Sequence, residues 1–103
     1  MDRNWQERAV EFAEMYDLRH TPQTHTLDLV SEVGEVAKEL LLGSGYGKRP
    51  FIPPSTLPDE LGDVLYSLCL LATAVNVNLD EALTSTLAKY QARLNAKNHT
   101  SSQ

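Results

Sequence analysis

Apolar residues return every three or four positions along most of this chain, and nowhere do they alternate over a strand's length. The pattern predicts helices and no strand. The first helix is expected from about Arg3 to Asp17, with Trp5, Val10, Phe12, Ala13 and Tyr16 as its apolar members. A His-Thr-Pro turn follows at residues 20–22. The second helix runs from about Thr26 to Leu42 and stops at Gly43, a usual helix terminator. Residues 43–54, GSGYGKRPFIPP, hold three glycines and three prolines and read as a loop. The third helix starts near Thr56, with Thr56 as its cap and Pro58 in the tolerated first turn, and continues to about Val75. Asn76, Val77 and Asn78 break the pattern. Asn78 caps a fourth helix, with Glu81 completing a capping box, and that helix reaches about Asn95. The polar end KNHTSSQ is expected to fray. The chain reads as all-α, with one domain over residues 1–97 and a flexible tail over residues 98–103.

Two acidic pairs of equal spacing interrupt the apolar pattern: Glu32-x-x-Glu35 in the second helix and Glu60-x-x-Asp63 in the third. Residues three apart share one helix face, so each pair aims two carboxylates at one point. Two such helices side by side make a cage for a hard divalent cation. On a wheel of the second helix, Asp28, Glu32, Glu35 and Glu39 fall within an arc of roughly 60°. Leu29, Val33, Val36 and Leu40 occupy the adjoining arc, so the acids are expected to border the buried stripe. In the third helix, Leu61, Val64, Leu65, Leu68, Leu71, Ala72 and Val75 form a broad apolar band, and Glu60 and Asp63 sit in its first two turns. Carboxylates near a helix N-terminus are favoured by the macrodipole alone. That explanation serves one pair but not two matching ones. Four carboxylates with no thiolate or imidazole select an oxygen-seeking ion, with Mg2+ the default and Mn2+ a substitute. A di-iron bundle uses Glu-x-x-His, and neither motif here contains histidine.

Composition narrows the classes further. The 103 residues suffice for one modest core, and small helical domains often gain burial by forming oligomers. A net charge of -5 argues against general binding of nucleic acid or anionic membrane. It leaves room for a phosphorylated small ligand, because bound metal reverses the local sign. The single cysteine, Cys69, lies in an apolar stretch and reads as a buried, inert thiol. The N-terminal MDRNWQER is no signal peptide, and the apolar run from Val64 to Val77 is too short to cross a bilayer. A cytoplasmic protein is expected.

At the acidic motifs the chain resembles the MazG-like nucleoside triphosphate pyrophosphohydrolases, whose signature is Glu-x-x-Glu, a spacer, then Glu-x-x-Asp. SEVGEVAKE supplies the first half, and DELGDVLYSL supplies the second after 24 intervening residues. Leu27, Gly34 and the run Leu61-Gly62-Asp63-Val64-Leu65 extend the likeness, which covers roughly residues 5–95. The resemblance implies a four-helix MazG-like bundle packed into a homodimer or homotetramer. It implies Mg2+ held by Glu32, Glu35, Glu60 and Asp63. It also implies cleavage of an NTP or dNTP between the α- and β-phosphates, giving the monophosphate and pyrophosphate, in the service of nucleotide-pool house-cleaning. Glu35 or Glu39 orients or deprotonates the attacking water, and the sequence does not separate the two roles. A phosphoribosyl-ATP pyrophosphohydrolase-like enzyme is the alternative in the same class. A helical oligomer that only binds nucleotide or protein is the alternative in another.

The last helix departs from the family pattern. Thr86 and Tyr90 stand where a lysine and an asparagine are usual, and Arg93 is in place with Lys89 nearby. Lys89 and Arg93 share a face and are candidates for the phosphate tail, against the plainer reading of a solvated basic face. Tyr66 is displaced by one residue from the usual tyrosine. Trp5, Phe12 and Tyr16 recur at helical spacing, which suits core residues better than a base-stacking platform; Trp5 is carried as a substrate candidate. His20 and His25 flank the turn before the second helix, and His20 is carried as a contact to base or phosphate. Lys48 and Arg49 belong to a surface loop or a mobile lid. The loop is no Walker motif, which needs G-x-x-x-x-G-K-[ST].

Overall fold

The computed structural model describes residues 3–101, with side chains up to residue 98. It contains four helices and, among the described residues, no strand: α1 (Trp5–Met15), α2 (Pro22–Gly43), α3 (Leu57–Ala74) and α4 (Leu79–Ser101). Each start has a local cause. Asn4 caps α1: its side chain accepts from the Glu7 N–H at 2.8 Å, and the Glu7 carboxylate accepts from the Asn4 N–H at 3.4 Å. α2 begins four residues earlier than the apolar pattern suggests. The Thr21 hydroxyl accepts from the Thr24 N–H at 3.2 Å, and Pro22 occupies the first helical position, where its fixed φ is already helical. The supposed turn at residues 20–22 is therefore a cap. Asn78 caps α4 as expected, accepting from the Glu81 N–H at 3.0 Å. That helix continues past Asn95 to Ser101; the final two residues of the expected tail lie outside the described residues.

α3 is the central element and packs against both α1 and α2. Its Cys69, Leu70 and Ala72, with Ala13 of α1, form the fully buried apolar core. Cys69 is buried as expected, and burial pushes its thiol pKa up. The loop after α2 folds back on the helix end. The Arg49 guanidinium donates to the carbonyls of Gly43 at 2.7 Å and Leu42 at 3.0 Å, satisfying groups the helix leaves open. Arg49 thus fastens the loop and is no lid residue. A side chain at Gly43 would sit 2.5 Å from the Phe51 ring and 2.8 Å from the Ile52 carbonyl, so only glycine fits there.

α4 leaves the body. Its axis turns by 99° from that of α3, across a break where Asn76 takes φ 60°. The Gln6 side chain of α1 locks this elbow: its amide N–H groups donate to the Thr73 hydroxyl at 2.9 Å and the Val77 carbonyl at 2.7 Å, and its carbonyl accepts from the Leu79 N–H at 2.8 Å. The radius of gyration is 17.9 Å, against about 13 Å for a compact chain of this length. Expected core residues consequently lie open. Trp5, Phe12 and Tyr16 are 67%, 52% and 59% exposed, so in one chain they are not core.

His25 lies inside α2, not in a turn, and is buried. Its Nε2 accepts the His20 backbone N–H at 3.0 Å, a bond that needs the neutral ring. Burial, aided by the nearby His20, holds its pKa below the usual 6.5. The unfolded chain therefore takes up the proton first. Stability should be full above pH 6.5 and fall as pH drops below it, by at most about 1.4 kcal/mol per pH unit from this group. Urea midpoints at pH 7.5, 6.5 and 5.5 check this. A His25→Gln variant that keeps the same extra acid slope would assign it elsewhere.

Candidate metal and phosphate site

The seam between α2 and α3 carries the acids. On α2 the inward stripe reads His25, Leu29, Glu32, Val36, Glu39 and Gly43, each buried or half-buried. Glu32 and Glu39 therefore lie within the stripe and do not border it. Val33 and Leu40, expected inside, are 49% and 44% exposed. On α3, Glu60 is half-buried and Asp63, one turn later, is exposed. One carboxylate oxygen each from Glu32, Glu60 and Asp63 lie within 4.8 Å of one another. Two separate motifs thus converge on one point. Ligand oxygens about a small octahedral cation stand about 3 to 4.2 Å apart, so the trio fits a divalent ion with minor adjustment.

Glu35 is not a member of that trio. It is close enough for its charge to raise the proton affinity of both Glu32 and Glu60. Glu32 is pushed up by partial burial first and then by Asp63, Glu35 and Asp28; Glu60 by partial burial and then by Asp63, Glu35, Glu32 and Glu39. Among the described residues the ion pairs are Arg3–Glu11 and Arg19–Glu14, and neither reaches the cluster. Among the described residues no ion pair offsets the crowded negative charge, and an all-carboxylate donor set suits a hard cation.

Glu39 has a partner that sequence reasoning missed. The Thr56 hydroxyl donates to its Oε2 at 2.9 Å. Thr56 was expected to cap α3; instead its backbone is already helical, with φ -85° and ψ -9°, and its side chain makes no cap bond. The sequence held a hydroxyl just before an acidic helix, but nothing in it pointed seventeen residues back to Glu39.

The candidate substrate contacts fall in different places. Tyr66 is half-buried, packs edge-on to Phe12 at 6.2 Å and lines a groove of about 380 Å³ with Trp5, Arg8, Phe12 and Leu65. Its hydroxyl is buried with no hydrogen-bond partner, and burial raises its pKa. The exposed His20 joins His25, Asp28 and Tyr66 around a smaller cavity of about 200 Å³, one helical turn from the acidic trio. Lys89 and Arg93 lie on the projecting α4 and flank the Tyr90 ring at 5.5 and 5.9 Å. The chain does not bring them to its own carboxylates. A roomier cavity, about 590 Å³, lies between α1 and the elbow, away from the acidic trio.

The model of the MazG nucleotide pyrophosphohydrolase domain matches residues 20–97, and the chain belongs to that family. Over 68 residues it is 32% identical to the uncharacterised protein YpjD of Bacillus subtilis (strain 168), covering 63% of this chain and 60% of that protein. The chain thus spans less than two thirds of the length of that curated relative. A crystal structure of YpjD from Bacillus subtilis, described as a candidate pyrophosphatase, superposes with a TM-score of 0.70 at 27% identity, over 89% of this chain and 97% of that one. The all-α expectation and the family resemblance both hold. No single helix among the described residues is long and apolar enough to cross a membrane.

The raised proton affinities of Glu32 and Glu60 carry a sign. Each holds a proton more tightly folded than unfolded, so the cluster weighs on the fold at neutral pH and the burden eases as pH falls into the carboxylate range. In metal-free buffer, Glu60→Gln should melt higher than the wild type. With a divalent cation at ten times its Kd, the wild type should gain about 1.4 kcal/mol, and the variant should gain far less. Calorimetric melting checks both. A lower melting temperature in the variant, or an undiminished gain, would refute a cation position among these acids.

Proposed function

We propose that the protein is a Mg2+-dependent nucleotide pyrophosphohydrolase that cleaves an NTP or dNTP to the monophosphate and pyrophosphate. The observation that carries this reading is the convergence of Glu32, Glu60 and Asp63 from two helices of a MazG domain. An acidic seam cannot hold a triphosphate by itself, since both partners are anionic. Glu32, Glu60 and Asp63, with Glu35 beside them, would hold the cation. When bound, that ion neutralises phosphate oxygens and lowers the pKa of a coordinated water.

The chain's own groups then divide the remaining work. A water oxygen attacks phosphorus, the α–β bridging P–O bond breaks, and pyrophosphate leaves with the bond's electrons. Glu39, fixed by Thr56, or Glu35 takes the water's proton. Trp5 and Tyr66 line one cavity and His20 and Tyr66 a second, and either offers space for the nucleoside. A role in clearing unwanted nucleotides from the cytoplasm fits this chemistry, as does a homodimer or homotetramer that covers the exposed apolar side chains. A mass of 11.5 kDa by light scattering at micromolar concentration would refute the oligomer.

One observation favours a second reading. Thr86 and Tyr90 replace the polar residues usual in the last helix of the family, which suits a domain that binds nucleotide without turning it over. A product assay separates the readings. With Mg2+ and a panel of NTPs and dNTPs, monophosphate and pyrophosphate should appear and vanish with EDTA. Glu35→Gln or Asp63→Asn should cut kcat by about 100-fold or more. Binding without product across the panel, phosphoribosyl-ATP included, would assign the non-catalytic role. Thr56→Val should lower kcat by about 10-fold with little change in KM, and Thr56→Ser should restore it. Equal losses in both variants would mean that the hydroxyl does not set the carboxylate.

A further inference from the structure

The two ends of a nucleotide need different surroundings. The phosphates need metal, because the acidic trio repels them without it. The base is a flat, neutral ring with hydrogen-bonding atoms along its edge, and it needs a small recess with a few fixed polar groups. The recess beside the first turns of α2 has this character. Leu18 and the buried Leu70 give it apolar walls, and His25, Asp28, Tyr66 and Ser67 give it polar groups. Its volume is about 200 Å³. At about 30 Å³ per water in the liquid, that is space for roughly six waters or one heterocyclic ring. Asp28 precedes Glu32 by four residues, about 6 Å along the helix axis, so one acidic row leads from the recess to the trio. A nucleotide needs only its sugar to span that step. The groove at Trp5, by contrast, is lined by no residue of α2.

Hydrogen bonds already made fix what the recess has left to offer. The Nε2 of His25 accepts the His20 backbone N–H at 3.0 Å, so the neutral ring carries its proton on Nδ1 and can donate from there. Burial keeps that ring uncharged, so the recess presents no imidazolium to a phosphate. Asp28, three residues further along the same helix face, is exposed and offers acceptors alone. It lies near enough for its charge to act on the His25 ring, yet no hydrogen bond joins the two among the described residues. Tyr66 adds a hydroxyl that is buried without a partner, a costly state for a polar group. One donor and one acceptor, side by side on one helix, form a pair that can read the edge of a base.

We infer that this recess receives the base of the nucleotide, and that Asp28 and His25 select bases presenting an exocyclic amine beside an unprotonated ring nitrogen. Cytosine and adenine present that pair: the amine donates to the Asp28 carboxylate, and the ring nitrogen accepts from His25 Nδ1–H. Uracil and hypoxanthine, their deaminated counterparts, present a keto oxygen and a ring N–H at the same places. Acceptor then faces acceptor and donor faces donor, and both contacts are lost. The inference rests on the pyrophosphohydrolase reading for the position of the phosphates. The contact with the base needs no turnover.

Substrate pairs that differ only by amine and keto groups test the selection. With Mg2+, kcat/KM should favour CTP over UTP and ATP over ITP by about 10-fold or more in each pair, ribo or deoxy, that is turned over. Asp28→Asn supplies an amide that donates as well as accepts, and should draw the ratios toward one. A pair turned over with equal kcat/KM by the wild type overturns the inference. So do ratios that Asp28→Asn leaves unchanged while every rate falls, which would make Asp28 a helper of the metal. A second readout works on products. In nitrogen-15-labelled protein with Mg2+, the His25 Nδ1 resonance should move on titration with CMP or AMP and stay in place with UMP. That response supports the base contact even if no triphosphate is hydrolysed, the outcome that would sink the functional reading alone. A resonance unmoved by both CMP and AMP, in protein folded by circular dichroism, overturns the placement.

Discussion

Everything in this molecule is organised around carboxylates that are held closer together than they would choose. Glu32, Glu60 and Asp63 meet at one point, Glu35 and Glu39 press on them, and no ion pair among the described residues relieves the repulsion. Two helices must be packed tightly to hold such charges, and α3 is suited to this because its other faces are apolar and anchored on α1. The core is small, and its α3 members, Cys69, Leu70 and Ala72, begin about two turns along the same helix from Asp63. One helix thus carries both the packing that anchors it and the charge that strains it.

Helical periodicity exposed much of this in advance. The i, i+3 spacing fixes which acids share a face whatever the rest of the chain does, so the two acidic pairs and the four helices were legible. The glycine and proline content of residues 43–54 was equally plain. Local chemistry was misread where two meanings compete for one residue. Thr21 and Pro22 look like a turn until the hydroxyl is seen to cap, and Thr56 looks like a cap until its hydroxyl is seen on Glu39. The aromatic face of α1 was misjudged for another reason. Spacing shows that residues share a side, but whether that side is covered depends on where α4 goes.

That direction is decided by residues far apart in the chain. Gln6 is an unremarkable polar residue in a helical pattern, and no local rule connects it to Val77 or Leu79. Loss of its bonds would leave a flexible joint at Asn76, with α4 free to fold back or swing. The family resemblance attached a chemistry to acids that helical spacing had already located. It said less about α4, where the residues themselves depart from the pattern.

The same latch bears on how the chain comes to be made. Gln6 and Leu79 are separated by 73 residues, so their bond closes a long loop that contains α2 and α3. During synthesis α1, α2 and α3 emerge first and can settle on one another while α4 is still being built. The apolar seam of α4 therefore acquires its final bearing only after the body beneath it exists. Exposed leucines are a hazard to a growing chain, and here they take up their final direction only at the end, when the latch at Gln6 can close.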